Sequence, residues 1–381
     1  MPSKIKLSNI NFTSVKVSEH NEWTFAEISD SLGSIGLVEI TCGKDINNVV
    51  SRLSQIVKSL KGKEISKESQ ISKLLGLKIG QLSSDRVLAI SVSALRTAVT
   101  ILKALYKNVS LTRALGGKVQ QSVPLYANIN RALFDKERTP KNFAMIAERA
   151  AREGFSMIKC APFDEVIQSM DNRTFLENSQ PGLMRIAAIR EAVGFDIKLL
   201  IDCHSRFNAK TAPIIAEELN KMNVYWFEEP LQPTTAAEKL TGMAKKVTIP
   251  IAGGERGYGE NFFSNLLKRK AVKIIMPDVK YCGGAREALE ACQSAPKLDG
   301  FASLHNPSGP VSQLISAHVT AALMPEIIPL EYPVFEVSWR SEVLLPFEEV
   351  KNGRFWLSKN SGLGAKLNYK IVKKYGKQWR D

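Results

Sequence analysis

The chain has 381 residues, 44% of them hydrophobic and 24% charged, which is ordinary for a soluble globular protein with one large or two ordinary domains. Five irregularly spaced cysteines argue against a disulfide framework and favour a reducing cytoplasm, and no apolar run approaches the roughly 18 residues that a membrane span needs. The net charge of +14 would suit a nucleic-acid partner, but the Lys and Arg residues are scattered and no zinc-finger or RNA-binding motif occurs. We therefore expect a cytoplasmic protein without a nucleic-acid or membrane partner, whose positive potential attracts an acidic small molecule.

Residues 1–118 are predicted to form an α+β domain. The segments NFTSVKVSEHNEWTFAEI and IGLVEITC favour antiparallel strands, and SSDRVLAISVSALRTAVTILKALYKN favours one or more helices. No low-complexity linker separates this region from the rest of the chain.

Short apolar runs alternate with amphipathic helices over residues 119–333. The candidate strands are VPLYANI, SMIKCA, IKLLIDC, VYWFEEP, IPIAGGE, VKIIMPD, GFASLH and IPLEY. The candidate helices are AMIAERAAREG, GLMRIAAIREAVG, APIIAEELNKM, FFSNLLKRKA, AREALEACQS and SQLISAHVTAAL. Eight strands that alternate with helices favour a parallel sheet closed into a barrel. Residues 334–381 read as short strands and turns, and we expect this segment to pack back on the N-terminal domain.

Ionisable residues recur at the ends of the candidate strands, at intervals of one strand–helix unit. The series is Asp202, Glu228, Glu255, Asp278, His305 and Glu331, with intervals of 26, 27, 23, 27 and 26 residues. In a barrel all the strand C-termini meet at one rim, where the active sites of this fold lie. The spacing therefore predicts that these side chains converge on one cavity.

Three of these residues, Asp202, Glu228 and Glu255, are carboxylates at the ends of consecutive candidate strands. Such carboxylates repel one another unless a positive charge lies among them. Mg²⁺ takes oxygen ligands and keeps open positions for water or substrate, so we expect the three to bind Mg²⁺. The alternative is three separate salt bridges to Lys or Arg. Because Glu228 and Glu229 are adjacent and should point to opposite sides of their strand, only one of them is expected to be a ligand.

The motifs at these strand ends resemble those of the enolase superfamily, and within it the mandelate racemase subgroup. The motifs are LLIDCHSRF with Asp202, WFEEP with Glu228, AGGER with Glu255, MPDVKYCGG with Asp278 and SLHNPSGP with His305, preceded by ALGG and VPLYANINR. The resemblance covers nearly the whole chain. It implies an α/β fold with a modified TIM barrel, (β/α)7β, under an α+β capping domain, one Mg²⁺, removal of the proton α to a carboxylate, and a homo-oligomer.

The resemblance assigns His305 as the base that removes this proton. The proton is very weakly acidic, so a metal ion on the substrate carboxylate is needed to stabilise the enediolate while a Lys or His takes the proton. Asp278, one strand earlier, would orient His305 and stabilise its protonated form. The alternative for His305 is a hydrogen-bonded structural histidine.

Lys159, in MIKCAPF, lies where members of the subgroup often carry Lys-x-Lys, the second lysine being a base on the other face of the substrate. Ala161 stands in place of that second lysine, so a racemase with two opposed bases is disfavoured. Lys159 is expected to neutralise the substrate carboxylate or to assist the metal site. Glu331, at the last strand, is expected to hydrogen-bond the substrate, with a plain salt bridge as the alternative.

The Asp-x-His pattern of Asp202 and His204 resembles that of acid-sugar dehydratases of the galactonate dehydratase type, in which the histidine is the general acid for the departing hydroxyl. In an extended strand His204 would share the face of Asp202. The alternative for His204 is a hydrogen-bond partner of a metal-binding carboxylate. Arg206 would bind a distal hydroxyl or carboxylate. The pocket is also expected to be shaped by the loop SVKVSEHNEW and by Tyr126, Asn128, Asn130 and Arg131 at the first barrel strand, Asn128 and Asn130 as substrate-binding residues.

The sequence therefore predicts a Mg²⁺-dependent hydro-lyase that converts an acid sugar, an aldonate or aldarate, to its 2-keto-3-deoxy product. The second hypothesis is a cycloisomerase or epimerase that acts on a related acid or lactone through the same enediolate. A nucleic-acid-binding role for the basic surface is the third. His204 favours the first hypothesis over the second.

Overall fold

The computed structural model describes residues 4–19, 21–134, 136–168 and 171–379. Its N-terminal part is an antiparallel sheet covered by helices, as the sequence predicted. The strands are β1 (Ile5–Lys16), β2 (Glu22–Asp30), β3 (Ile35–Glu39) and β4 (Glu64–Ile65). The helices are α1 (Ile46–Leu60), α2 (Gln70–Leu74), α3 (Ile79–Ser84), α4 (Arg86–Tyr106) and α5 (Leu111–Ala114).

Helix α4 forms the centre of this N-terminal part. Asp85 caps it, because its side chain accepts a hydrogen bond of 2.9 Å from the amide of Leu88. Among the described residues, α4 is the one helix whose length and composition would allow it to cross a membrane, but 89% of its most apolar window is buried inside the fold. The helix did not stand out as an apolar run in the sequence, because Arg96 and several Ser and Thr residues interrupt it. In this structure α4 is a core helix.

Within the described ranges, eight parallel strands alternate with seven helices, so the predicted (β/α)7β barrel is confirmed. The strands are β5 (Ser122–Asn128), β6 (Met157–Cys160), β7 (Lys198–Asp202), β8 (Val224–Glu228), β9 (Ile251–Gly253), β10 (Ile274–Ile275), β11 (Phe301–Ala302) and β12 (Leu330–Pro333). The helices are α6 (Pro140–Arg152), α7 (Asn172–Val193), α8 (Ala212–Lys221), α9 (Pro233–Ala244), α10 (Glu260–Lys268), α11 (Ala285–Ser294) and α12 (Pro310–Leu323).

The barrel strands follow one another in space in chain order from β5 to β11, and β12 pairs with β5. Between β11 and β12 the ring is closed by a hydrogen bond of 3.0 Å from the Ile328 amide to the Ala302 carbonyl. Helix α9 is the one helix of the barrel that the sequence analysis missed. Its sequence, PTTAAEKLTGMA, buries only Pro233, Leu240 and Met243, and its backbone is kinked at Ala236.

The interior of the barrel explains why polar side chains collect at one end. Each strand sends alternate residues inward. Tyr126, Met157, Leu200 and Trp226 form a buried apolar layer, in which the rings of Tyr126 and Trp226 meet edge to face with centroids 5.4 Å apart. Two residues further along the same four strands come Asn128, Lys159, Asp202 and Glu228. The polar layer therefore lies directly above an apolar plug.

The C-terminal segment contacts both of the parts described above. Its elements are β13 (Leu344–Leu345), β14 (Glu349–Lys351), β15 (Arg354–Trp356), β16 (Lys366–Leu367), α13 (Tyr369–Tyr375) and β17 (Gly376–Gln378). Strand β17 pairs with β1 of the N-terminal sheet, whereas β15 pairs with β5 of the barrel. The domain boundaries predicted at residues 118 and 333 stay a prediction.

The N-terminal part docks on the ends of the barrel strands through two close contacts. Glu39, at the end of β3, accepts hydrogen bonds from the amides of Gly309 (2.7 Å) and Ser312 (2.9 Å) at the start of α12. Helix α4 packs on the loop after β10, where Thr97 Oγ1 accepts a hydrogen bond of 3.0 Å from the Ala285 amide. The neighbouring Gly284 lies against the backbone of α4.

Replacement of Gly284 by Ala should lower the free energy of unfolding by about 3 kcal/mol or more. Its backbone angles (φ 92°, ψ −176°) suit glycine alone, and a Cβ would lie 2.7 Å from Thr97 Oγ1 and 2.8 Å from the Ser93 carbonyl oxygen. Gly116→Ala is the control, because Gly116 also has a positive φ (97°) but no atom lies within 4 Å of its Cβ position. It should cost about 1 kcal/mol. Equal losses for the two variants in urea unfolding would contradict the close docking of α4.

Candidate active site

A cavity of about 610 Å³ opens at the C-terminal ends of the barrel strands, under the N-terminal end of α4. The structure brings eight of the eleven predicted site residues to its wall: Asn128, Asn130, Lys159, Asp202, His204, Arg206, Glu255 and His305. The other three, Glu228, Asp278 and Glu331, each contact one of these lining residues directly. Of the six residues in the predicted series, Asp202, Glu255 and His305 line the cavity, and the other three contact lining residues.

Lys159 is the central cation of the polar layer. Its ammonium lies 2.5 Å from Glu228 Oε1, 3.1 Å from Glu331 Oε1 and 3.3 Å from Asp202 Oδ2. Burial alone would lower the pKa of Lys159, but the surrounding carboxylates, Glu228 foremost, raise it well above its usual value. Lys159 is therefore charged and compensates both Asp202 and Glu228, whereas the salt-bridge alternative anticipated a separate Lys or Arg for each carboxylate.

His305 lies between two carboxylates. Its Nδ1 is 3.0 Å from Asp278 Oδ2, and its Nε2 is 2.9 Å from Glu255 Oε2. Burial lowers the pKa of His305, but Glu255 and Glu331 together with the hydrogen bonds raise it well above its usual value. Lys280 in turn holds Asp278 from behind, with its ammonium 3.4 Å from Asp278 Oδ2. The imidazole is thus fixed in orientation by Asp278 and directs Nε2 toward Glu255.

His204 reaches Asp202 by a different route from the one predicted. Strand β7 ends at Asp202, and the chain turns sharply there, with positive φ at His204 (47°) and Ser205 (57°), so the argument from strand alternation was wrong. The turn nevertheless brings His204 Nε2 to 3.1 Å from Asp202 Oδ2 and its amide to 3.0 Å from Asp202 Oδ1. The charge of Asp202 raises the pKa of His204 to about 9. His204 is therefore protonated at neutral pH, with a side chain that is half exposed to the cavity.

Glu228 and Glu229 show that this end of the barrel carries a surplus of negative charge. Burial, with Asp202 and Glu331 nearby, raises the pKa of Glu228 to about 8 even though Lys159 opposes the shift. Burial and then Glu255 raise the pKa of Glu229 to about 8 as well. Glu229 has a positive φ of 39°, and its Oε1 accepts a hydrogen bond of 3.0 Å from the amide of Gly254. The cations of the protein thus do not fully neutralise these carboxylates.

The donor chemistry of the predicted metal triad suits Mg²⁺, since Asp202, Glu228 and Glu255 offer carboxylate oxygens alone and the site has unbalanced negative charge. In the part of the chain that the structure describes, no three His, Cys, Asp or Glu side chains are gathered about one point. The reason is that Glu228 is turned to Lys159 and Glu255 to His305. A bound Mg²⁺ would have to replace these partners.

The remaining predicted residues are held by protein groups. The side-chain amide of Asn128 donates to Glu331 Oε1 (2.7 Å) while its oxygen accepts the Asn130 amide (2.9 Å). Asn130 Oδ1 accepts the Ala161 amide at 2.7 Å. Arg206 Nη1 donates to the carbonyl oxygens of residues 164 and 166. Asn128 and Asn130 therefore buttress the pocket, and Ala161, which stands in place of the second lysine of the subgroup, lines it.

Residues 142–371 match the family described as enolase C-terminal domain-like. The chain belongs to the enolase superfamily. It is 27% identical over 360 residues to the D-xylonate dehydratase of Haloferax volcanii, covering 92% of this chain and 84% of that protein. It is 29% identical to the D-galactarolactone cycloisomerase of Agrobacterium fabrum, over 73% of this chain and 71% of that one. A crystal structure of a mandelate racemase/muconate lactonizing enzyme from Jannaschia sp. CCS1 superposes with a TM-score of 0.86 at 21% identity, covering 99% of each chain.

The expectation of an enzyme of the enolase superfamily is confirmed, as is the resemblance to its mandelate racemase subgroup. Several of the relatives are named dehydratases, that is, carbon–oxygen lyases.

Sequence reasoning missed several residues of this enolase-superfamily site. Lys280 was inside the quoted motif MPDVKYCGG, two positions after Asp278, but it lies in the turn after β10, where strand alternation does not apply. Arg86 and Tyr281 line the cavity from α4 and from the loop after β10, where no strand-end rule applies. The described residues of the loop SVKVSEHNEW do not line the cavity; Asn21 hydrogen-bonds Glu336, which faces Arg131, and His20 lies outside the described residues.

With divalent cations removed by a chelator, the free energy of unfolding should fall as the pH rises from about 5 to about 8. The pKa values of Glu228 and Glu229 are raised from 4.5 to about 8 in the folded chain. Between these two pH values the folded chain therefore holds protons that the unfolded chain has released. The stabilisation is present at low pH and is lost as the pH rises through the folded pKa, at up to about 1.4 kcal/mol per pH unit for each group.

Glu229→Gln, which keeps an acceptor for the Gly254 amide, should reduce this slope in denaturant titrations at several pH values. Glu238→Gln is the control, since the Glu238 side chain is 89% exposed and should leave the slope unchanged. Identical slopes in the wild-type chain and in Glu229→Gln would refute a buried, protonated Glu229.

Proposed function

We propose that this chain is a hydro-lyase that dehydrates an acid sugar, an aldonate or aldarate, to a 2-keto-3-deoxy acid. The observation that carries the proposal is the presence of two histidine–aspartate pairs on the wall of one cavity. His305 pairs with Asp278 through Nδ1, and His204 pairs with Asp202 through Nε2. The reaction needs one group to remove the α-proton and one to protonate the leaving hydroxyl. The names of the sugar-acid dehydratase relatives support the same class of reaction.

In this proposal His305 acts in its neutral form, with Nε2 released from Glu255, and takes the proton from the carbon next to the substrate carboxylate. Asp278 holds the Nδ1 side of the ring and stabilises the imidazolium that results. Asp202, Glu228 and Glu255 are the residues that would hold Mg²⁺, and when bound this ion would stabilise the negative charge that develops on the substrate carboxylate. Lys159 favours the ionised forms of Asp202 and Glu228, and it adds positive charge beside the substrate.

His204 then gives its proton to the β-hydroxyl as the carbon–oxygen bond breaks. The electron pair of the former α C–H bond forms the new double bond, water leaves, and the resulting enol tautomerises to the 2-keto acid. A pKa of about 9 suits this role because His204 carries a proton at neutral pH. Its half-exposed side chain also has access to the cavity.

The second candidate is a cycloisomerase that acts on a lactone of an acid sugar, and the relative from Agrobacterium fabrum favours it. This reaction uses the same base but expels the ring oxygen instead of water, and the enol that results tautomerises to a keto acid that is an isomer of the lactone. The cytoplasmic location and the homo-oligomer stay predictions.

The test of the proposal is a screen of the purified chain with Mg²⁺ against stereoisomers of five- and six-carbon aldonates, aldarates and their lactones. A dehydratase will give 2-keto acids, which semicarbazide detects. Keto acid that is formed from lactones and is isomeric with them by mass spectrometry, without turnover of aldonates or aldarates, would support the second candidate, and turnover of neither class would reject both.

His305→Asn should abolish both product formation and exchange of the substrate α-proton with D₂O, each by at least about 10³-fold. The reason is that, among the described residues, the one other imidazole on the cavity wall is that of His204. Its Nε2 contacts Asp202, whereas the Nε2 of His305 is on the side of the ring opposite Asp278. Exchange is followed by ¹H NMR, and circular dichroism checks the fold. If His305→Asn still exchanges the proton, another residue is the base.

His204→Asn should separate the two halves of the reaction. The variant keeps His305 and Asp278, so deuterium should still enter the α position while dehydration slows by about 10²-fold or more. Parallel measurement of exchange and of 2-keto acid in D₂O provides the comparison. Dehydration at the wild-type rate would mean that His204 only supports Asp202, and joint loss of exchange and dehydration would mean that it acts before the elimination.

A further inference from the structure

Five arginines surround the mouth of the cavity, and we call them the arginine rim: Arg86, Arg131, Arg138, Arg206 and Arg256. Four of them lie in loops beyond the ends of barrel strands, and Arg86 is the first residue of α4. They are therefore further from the barrel interior than Lys159 and Asp202, which are at most 4% exposed. Two carboxylates of the rim loops line the cavity among the described residues: Asp164 pairs with Arg138, and Glu255 lies between His305 and Arg256.

Two of the five guanidinium groups, those of Arg86 and Arg206, contact neutral acceptors, whereas Arg131, Arg138 and Arg256 each have a carboxylate within 4.0 Å. Arg206 donates to two backbone carbonyls (2.6 and 3.1 Å), and Arg131 donates to the carbonyl of Pro307 (3.2 Å). Arg86 donates to the hydroxyl of Tyr281 (3.2 Å). Neutral acceptors of this kind orient an arginine and leave its charge available to another partner.

Two of these positions are poor choices for stability alone. Arg86 occupies the first turn of α4, where the helix macrodipole disfavours a positive charge. Arg256 has an exposed side chain whose nearest carboxylate oxygen, Glu255 Oε1, is 3.6 Å away, beyond a normal charge-assisted hydrogen bond. Neither Arg86 nor Arg256 is held by a short ion pair to any residue that the structure describes, so both guanidinium groups can contact a bound anion.

We infer that the substrate carries a second anionic group, at the end distal from the carbon that loses its proton. This inference rests on the proposed function and narrows it. In the proposed function, Lys159 and the predicted Mg²⁺ site would bind the substrate carboxylate next to that carbon. The arginine rim is therefore available to bind a second anionic group. A carboxylate of an aldarate and a phosphate ester of an aldonate share the required chemistry, since both take two hydrogen bonds from one guanidinium.

Matched pairs of six-carbon acids test the inference, each pair having the same stereochemistry: the aldonate, the aldarate and the 6-phosphoaldonate. Both dissociation constants with Mg²⁺, from calorimetry, and kcat/KM are measured. The dianionic member of a pair should bind at least about tenfold more tightly than the aldonate. The preference should shrink as the salt concentration rises. The aldarate and phosphoester arms distinguish the two sources of the second charge.

Arg86→Gln and Arg206→Gln should each reduce the ratio of kcat/KM for the dianion to that for the aldonate by about tenfold. Arg113→Gln is the control, because Arg113 is exposed and lies outside the cavity wall. The substitution removes the same charge from the chain as the two rim variants do. That variant should keep the wild-type ratio. If the ratio fell equally in Arg113→Gln, the preference for dianions would come from the net charge of the chain and not from the arginine rim.

The outcomes separate this inference from the proposed function. If aldonates are dehydrated as well as or better than every dianion, the second anionic group is refuted while the dehydratase stands. If no acid sugar yields product, the dehydratase is rejected, and the dissociation constants still decide the inference. Equal affinity for monoanions and dianions would then overturn it.

Discussion

Burying a carboxylate without a partner costs several kcal/mol, and this constraint governs the end of the barrel at which the strands finish. Asp202, Glu228, Asp278 and Glu331 are almost completely buried there, and each of them contacts a lysine or a histidine. Lys159 alone contacts three of the four. Because these carboxylates and their partners come from six different strands or strand ends, the charges are satisfied only when the barrel has closed. The apolar plug beneath them stabilises that closed state.

The same network explains how a buried site can remain reactive. Its carboxylates are partnered, so the folded chain tolerates them, but the partners are themselves the groups that the proposed chemistry uses. His305 is held by Asp278 on one side and by Glu255 on the other. A ligand that competes for Glu255 would free one face of the imidazole and leave its orientation intact. Stability and catalysis thus draw on one set of contacts.

The fold was largely predictable, because the period of the strand–helix units and the polar residue at each strand end are local signals. The site was predictable where a residue lies on a strand, as for Lys159 and Asp202. Prediction failed where the backbone leaves the strand, since the positive φ of His204 and of Glu229 cannot be read from alternation. It also failed for Arg86, which reaches the cavity only through the docking of the N-terminal part.

That docking has an evolutionary consequence. Arg86 reaches the cavity from α4, and the same helix packs against Gly284 in the loop that begins with Asp278. Suppose that the N-terminal part were exchanged for that of a relative in order to change the substrate preference. The contact between α4 and Gly284 would then change as well, and with it the loop that carries Asp278 and orients His305. Such an exchange should preserve the fold and the site only when the N-terminal part and the loop after β10 come from the same relative. The capping part and the loop after β10 would then vary as one module, while the other rim loops remain free to change singly.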